Sequence, residues 1–233
     1  MKKQKLWMNI VSNLAMASLV FSVALVCFAP DDAVATATEE KLYRRGYSES
    51  GVSLMFNVYW GTEEVYQILD VLDAYEAKST FFIGGSWADD NVQCLKEIAA
   101  RGHEIGNHGY FHKDHKKLNY DQNEQEIRLT EVMVKALVGV KPTLFAPPSG
   151  SFSKTTLQVA EQLGYTVIMW TKDTIDWRDS DKDLIYKRAT KNPSNGDLIL
   201  MHPKQHSLNV LPKIIEFYVQ NGYEIVTVSE NLS

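Results

Sequence analysis

The sequence predicts an α/β fold built on parallel strands, and three observations predict it. Short apolar runs of strand composition alternate with longer segments of helical periodicity, about seven times in roughly 180 residues. The residues able to do chemistry stand just after those apolar runs, where parallel strands would gather them at one end. The G-x-G-x-x-G fingerprint of nucleotide-binding sheets is absent, which disfavours that use of such a sheet. Periodicity alone leaves two architectures open, a closed barrel and an open doubly wound sheet.

Taken in chain order, the first segment is of a different kind. Lys2, Lys3 and Lys5 form a basic start, no further charge follows until Asp31, and Leu14 to Phe28 is apolar. Ala33-x-Ala35 is a small-residue cleavage pattern. Residues 1–35 are expected to be a secretory signal, with an uncleaved membrane anchor as the alternative. The protein is then secreted or in the cell envelope, and meets the membrane only through this segment. Cys27 lies within it, which leaves Cys94 as a lone buried thiol and the domain without disulfides. Residues 36–50 are polar and of mixed charge, and read as a linker. Residues 51–233 read as one domain.

Within that domain the strand-like runs are Val52–Phe56, Thr80–Ile83, His103–Gly106, Thr143–Phe145, Thr166–Met169, Leu198–Met201 and Glu224–Thr227. Between them, "EEVYQILDVLDAYEA" spaces Val65, Ile68, Leu69 and Leu72 for one helix face. "NVQCLKEIAARG" stops at Gly102, and "DQNEQEIRLTEVMVKALVG" is a long amphipathic helix. "SKTTLQVAEQLG" begins at a capping Ser153 and stops at Gly164. "DKDLIYKRAT" and "SLNVLPKIIEFYVQNG" complete the series, with Pro212 expected in the first turn of the last helix. A formal charge of -5 argues against a nucleic-acid partner.

The polar residues after the strands form a set. Asn57, the Trp60-Gly61 corner, Glu63 and Glu64 follow the first run. "NHGYFHKDH" follows the third and carries His108 and His112, which are four apart and able to share one metal ion. "APPSGS" follows the fourth, "KDTIDWRDS" with Asp173, Asp176 and Trp177 the fifth, and "MHPKQH" with His202 the sixth. Each alone has an ordinary structural reading: a turn, a cap, a hydrogen-bonding histidine. Their order and spacing carry more.

That set resembles the polysaccharide deacetylase family (the NodB-homology domain, carbohydrate esterase family 4) from about Gly51 to Leu232. "RGHEIGNHGYFH" resembles its His-x-x-x-His motif, and "FAPPSGSF" its Arg-Pro-Pro-Tyr-Gly turn. "DTIDW" resembles its Asp-Trp motif, and "LILMHP" its Leu-x-His strand. The resemblance implies a distorted (β/α)7 barrel. It also implies removal of acetyl groups from peptidoglycan or chitin-like polymers with a divalent metal, most often zinc. Carried over, His108 and His112 match the metal ligands. His202 matches the general acid, and Asp176 the carboxylate that orients it. Leu200 and Trp177 match the wall around the acetyl methyl, and the Ser149 backbone N–H an oxyanion donor.

The same resemblance exposes three departures. Asn57 stands where the family has its catalytic base, Val58 where it has the third metal ligand, and Ala146 where it has the arginine that orients the base. The Trp-Gly corner is similar to a sporulation-type subgroup with a degenerate first motif. Loss of a positioned base costs about 10²–10⁴ in rate. Glu63 and Glu64 are the candidates to substitute, as ligand or base, unless they only favour a helix start. The expectation is a metal-dependent deacetylase of reduced activity with doubtful metal occupancy. The alternative is an inactive relative that binds glycan in the same groove.

Overall fold

The computed structural model describes residues 42–233. The expected signal or anchor, residues 1–35, lies outside the described residues, as does the first part of the expected linker.

The elements run β1 (Leu42–Tyr43), β2 (Gly51–Val58), α1 (Thr62–Ala74), β3 (Thr80–Ile83), α2 (Gly85–Asp90), α3 (Val92–Ala100), β4 (Glu104–Asn107), α4 (Tyr120–Val138), β5 (Leu144–Phe145) and α5 (Lys154–Gln162). They continue with β6 (Thr166–Ile168), β7 (Lys172–Asp173), α6 (Lys182–Thr190), β8 (Leu198–Met201), α7 (Gln205–Gln220), β9 (Glu224–Ile225) and α8 (Val228–Asn231). The strands pair in the order β1-β6-β5-β4-β3-β2-β8-β7, with β9 beside the start of β2. Every pairing is parallel. This is the curled parallel sheet with outer helices that the distorted (β/α)7 barrel describes. Its two edge strands are β1 and β7, and residues 169–171 run between them. There the Met169 N–H donates to Tyr43 O and the Thr171 N–H to Leu198 O.

Strand β2 is the spine. All eight of its residues are buried, as expected of a central parallel strand covered on both faces. Alternation divides its side chains. Leu54, Phe56 and Val58 join the cluster under the helices, with Val65, Ile68, Leu69 and Leu72 of α1 and Ile214 and Ile215 of α7. Met55 points the other way and packs with Phe82, Ala146, Ile168 and Leu200 inside the barrel. That inner cluster is the floor on which the functional site rests.

Two expectations need correction. Residues 42–50 are not linker: Leu42 and Tyr43 pair with Val167 and Ile168, and the Gly46 and Tyr47 amides donate to Gly196 O and Asn231 O. Leu42 and Tyr43 stand between Lys41 and Arg44, with no apolar run to mark them. Pro212 is not in a first turn but inside α7, which starts at Gln205. Lacking an N–H, it leaves the Leu208 carbonyl without its helical donor. Elsewhere the local chemistry is as read. Ser153 caps α5 in a reciprocal capping box with Thr156, and Gly139 ends α4 in the left-handed conformation.

Candidate active site

At the C-terminal ends of the strands lies a cavity of about 350 Å³. Asn57 reaches it from the end of β2 and Trp60 from the corner that follows. His108 and His112 reach it from the loop after β4, and Ser149 from the turn after β5. Trp170, Asp173 and Trp177 line it on the side of β7, and Leu200 and His202 on that of β8.

The corner after β2 is built by close approach. Gly61 has φ 76, and a Cβ there would fall 2.2 Å from Pro203 O. Only glycine permits this contact. It seats the Trp60 ring parallel to that of His202, with centroids 5.9 Å apart and 9° between planes. The Lys204 ammonium lies 4.7 Å from the Trp60 centroid.

The two histidines of the β4 loop meet at 5.1 Å between ring centroids. The loop is not helical: His112 sits at φ 53. Glu126 of α4 holds it, although only 1% exposed, by accepting the amide N–H of Tyr110 and Phe111 and pairing with Lys113. Asn107 secures the loop's start, accepting from the Gly109 N–H and donating to Ile127 O. The His108 Nδ1 lies 2.7 Å from Ala146 O. A carbonyl only accepts, so Nδ1 carries the proton and Nε2 keeps the lone pair. Burial, and then neighbouring His112, hold His108 well below the ordinary imidazole pKa, and burial also lowers His112.

Beside them stands a carboxylate–imidazole pair. Asp176 Oδ1 accepts from His202 Nδ1 at 2.7 Å, and Oδ2 accepts from the His202 amide and the Ser207 hydroxyl. Burial alone would raise the Asp176 carboxyl. The bonds from His202 and Ser207 outweigh it and leave the pKa below its ordinary value. His206 Nε2 donates to the Asp176 carbonyl, fixing its backbone too. Three of the five non-glycine residues with positive φ among the described residues (His112, Ser149 and Ile175) lie in these loops. For β-branched Ile175 this conformation is a true outlier, and such strain concentrates at functional sites.

His108, His112, Asp176, His202, Ser149, Leu200, Trp177 and Asn57 therefore come together as the sequence suggested. Three points that the sequence left open are decided by direction and distance. Val58 packs under the helices and does not line the cavity. Glu63 and Glu64 belong to the first turn of α1 and lie outside the lining, with Glu63 accepting from Gln67. Neither replaces the missing base or ligand. The third is the metal. A catalytic zinc takes three protein ligands; His108 and His112 offer two, while the third imidazole of the lining, His202, is paired with Asp176. Among the described residues no three His, Cys, Asp or Glu stand close enough to hold one ion. The residues present do not fit a resident catalytic metal. Ala146, matched to an arginine by resemblance, is fully buried in the inner cluster. Sequence reasoning missed Trp170 as a lining residue and Glu126 as the support of the β4 loop. Asp173 was visible as an acid after a strand; nothing in the sequence signalled Trp170 or Glu126.

The family model for polysaccharide deacetylase matches residues 44–168. The chain belongs to the polysaccharide deacetylase family. An uncharacterized protein, YlxY of Bacillus subtilis, is 38% identical over 82% of this chain. The chain spans 60% of the length of that protein. A peptidoglycan-N-acetylglucosamine deacetylase of Bacillus cereus is 33% identical over 78% of this chain and 68% of its own. A crystal structure of a CE4 family pseudoenzyme from Bacillus anthracis superposes with TM-score 0.81 at 33% identity, covering 84% of this chain and 70% of that one. A mutant of the same pseudoenzyme, described as having restored enzymatic activity, superposes equally well. Polysaccharide deacetylases thus include both enzymes and a pseudoenzyme among this chain's relatives.

Proposed function

We propose that this protein binds acetylated amino-sugar polymer in the cavity without hydrolysing it. Peptidoglycan, the polymer named for the Bacillus cereus relative, is the favoured ligand; a chitin-like polymer shares its chemistry. One observation carries the reading. The polar side chain at the end of β2 is Asn57, a neutral amide that cannot take a proton from water at pH 7. No carboxylate compensates. Glu63 and Glu64 are outside the cavity, and Asp173, its single lining acid, stands on the β7 side and not at the end of β2. Ala146 is consistent: an arginine that orients a base has no role once the base has gone. The similarity to a pseudoenzyme supports the same reading.

A second reading, a deacetylase of reduced activity, is favoured by the Asp176–His202 pair. Its geometry is that of a general acid, with Nδ1 committed to the carboxylate and Nε2 free to serve a leaving amine. The cavity walls serve either reading. Trp177 and Leu200 offer apolar surface to an acetyl methyl, and Ser149 a backbone donor to its carbonyl. The secreted or envelope location expected from the N-terminal segment would bring the protein to such a polymer.

Sedimentation with acetylated peptidoglycan sacculi tests this, with acetate measured in the same tube. Co-sedimentation without acetate release is expected. Acetate release that His202→Ala abolishes would overturn the proposal in favour of the enzyme. Metal analysis gives a second readout: zinc uptake well short of one ion per chain.

A further inference from the structure

One short turn carries two parts of the site, and its backbone is strained. Between β7 and α6, residues 174–179 set Asp176 against His202 and Trp177 on the cavity wall. Ile175 in this turn has φ 54, a conformation that a β-branched residue keeps only where its surroundings impose it. Some of the restraint is internal. The Asp173 carboxylate accepts from the Ile175 N–H, and the Ile175 carbonyl accepts from the Arg178 and Asp179 N–H groups. Some comes from β8 and α7. The Thr174 hydroxyl donates to Leu200 O, and His206 donates to the Asp176 carbonyl.

The remaining hold comes from α6, through Arg188. Its Nη1 donates to the Thr174 carbonyl at 3.0 Å, just before Ile175. Its Nη2 pairs at 2.7 Å with Asp179, at the other end of the turn. One guanidinium therefore spans the strained residue, a task that its planar fork of donors suits and a lysine cannot match. The Arg188 and Asp179 side chains are only 22% and 24% exposed, so water screens this pair less than an open surface pair. Asp179 passes the restraint on. It accepts from Arg178 as well, whose guanidinium lies 5.7 Å from the Trp177 ring.

We propose that Arg188 is a positioning residue: by bridging the Thr174 carbonyl and Asp179 it holds the strained turn at Ile175, and so keeps Asp176 on His202 and Trp177 on the cavity wall. Arg188 does not itself line the cavity. It acts through the turn, and in the same way whether the site binds or hydrolyses. The argument from strain has a specific consequence. A strained turn relaxes when a restraint is removed, whereas glycine at position 175 adopts φ 54 without penalty and has less need of the restraint.

Proton NMR of the imidazole N–H region tests this, because a ring proton held by a carboxylate resonates far downfield. His202 Nδ1–H on Asp176 is such a proton, and its signal is assigned by its absence in His202→Gln. Arg188→Met is expected to lose that signal or shift it upfield, and Arg188→Lys, able to make one of the two contacts, to retain part of it. Ile175→Gly is expected to keep the signal, and to keep it also when combined with Arg188→Met. Asp179→Asn removes the charge at one end of the bridge and covers the case in which Arg188→Met does not fold; an upfield shift is again expected. An unchanged signal in Arg188→Met or in Asp179→Asn would overturn the proposal. So would an equal loss with isoleucine and with glycine at position 175, since Arg188 would then support the fold at large and not the strained turn.

Discussion

At the scale of single residues, direction decides what a position can do. Asn57 and Val58 are neighbours on β2, yet one lines the cavity and the other packs under α1 and α7. The sequence reveals which residue types follow each strand, and so His108, His112, Asp176 and His202 were legible as a set. It does not reveal which way a side chain turns where a strand ends. Glu63 and Glu64 take the helix-start role that the sequence offered as the alternative, and Val58, which stands where the family has its third ligand, turns away from the cavity. Val58→Asp is therefore predicted to bury an unpaired carboxylate and to destabilise the fold by about 3 kcal/mol or more. Urea unfolding measures this. A variant as stable as wild type that gains zinc would show that position 58 does reach the site.

At the scale of elements, most strands and helices were legible because they fall in apolar runs or helical periods. The two-residue edge strands β1 and β7 lie in polar segments with no such run, unlike the equally short β5 and β9. Pro212 misled for a related reason: its usual place is a first turn, but α7 begins seven residues before it at Gln205. The corner between β2 and α1 is the connection that matters most for the site. Gly61→Ala meets both an unfavourable φ of 76 and the Pro203 carbonyl, whereas Gly164→Ala, at φ 78, has nothing within 4 Å. Thermal unfolding is expected to show a clearly greater loss for Gly61→Ala than for Gly164→Ala. The Trp60 environment should change only in the former, as read by tryptophan fluorescence. Equal losses would mean that backbone strain alone, roughly 1–3 kcal/mol, accounts for both.

At the scale of the whole molecule, a set of buried and half-buried neutral imidazoles links stability to pH. Burial lowers His103 to about 4, and also lowers His108, His112 and His115. Unfolded, these rings take up protons below about pH 6.5; folded, they stay neutral. The unfolded chain thus binds more protons, and stability falls as pH drops from about 6.5 towards 4. Each ring contributes up to about 1.4 kcal/mol per pH unit within its own window. Asp176 adds to the loss lower down: its depressed carboxyl stabilises the fold above about pH 3.9, and that contribution disappears as pH falls through its folded pKa. Urea midpoints at pH 7.5 and pH 5 should differ clearly, with the acidic sample weaker. Identical midpoints would mean that the buried histidines protonate in place.

The central claim is that hydrolysis is missing because the base at Asn57 and its arginine at Ala146 are missing. Ala146 is enclosed by the inner cluster, so Ala146→Arg alone is expected to destabilise, and less so when Asn57→Asp supplies a partner charge. The most direct measurement is acetate release from acetylated peptidoglycan, with zinc supplied, by wild type and by the Asn57→Asp, Ala146→Arg variant side by side. No release above background is expected from wild type, and measurable release from the variant, in which Asn57→Asp also adds a carboxylate to the lining that His108 and His112 share. Release by wild type that equals or exceeds the variant's, and that His202→Ala removes, would contradict it.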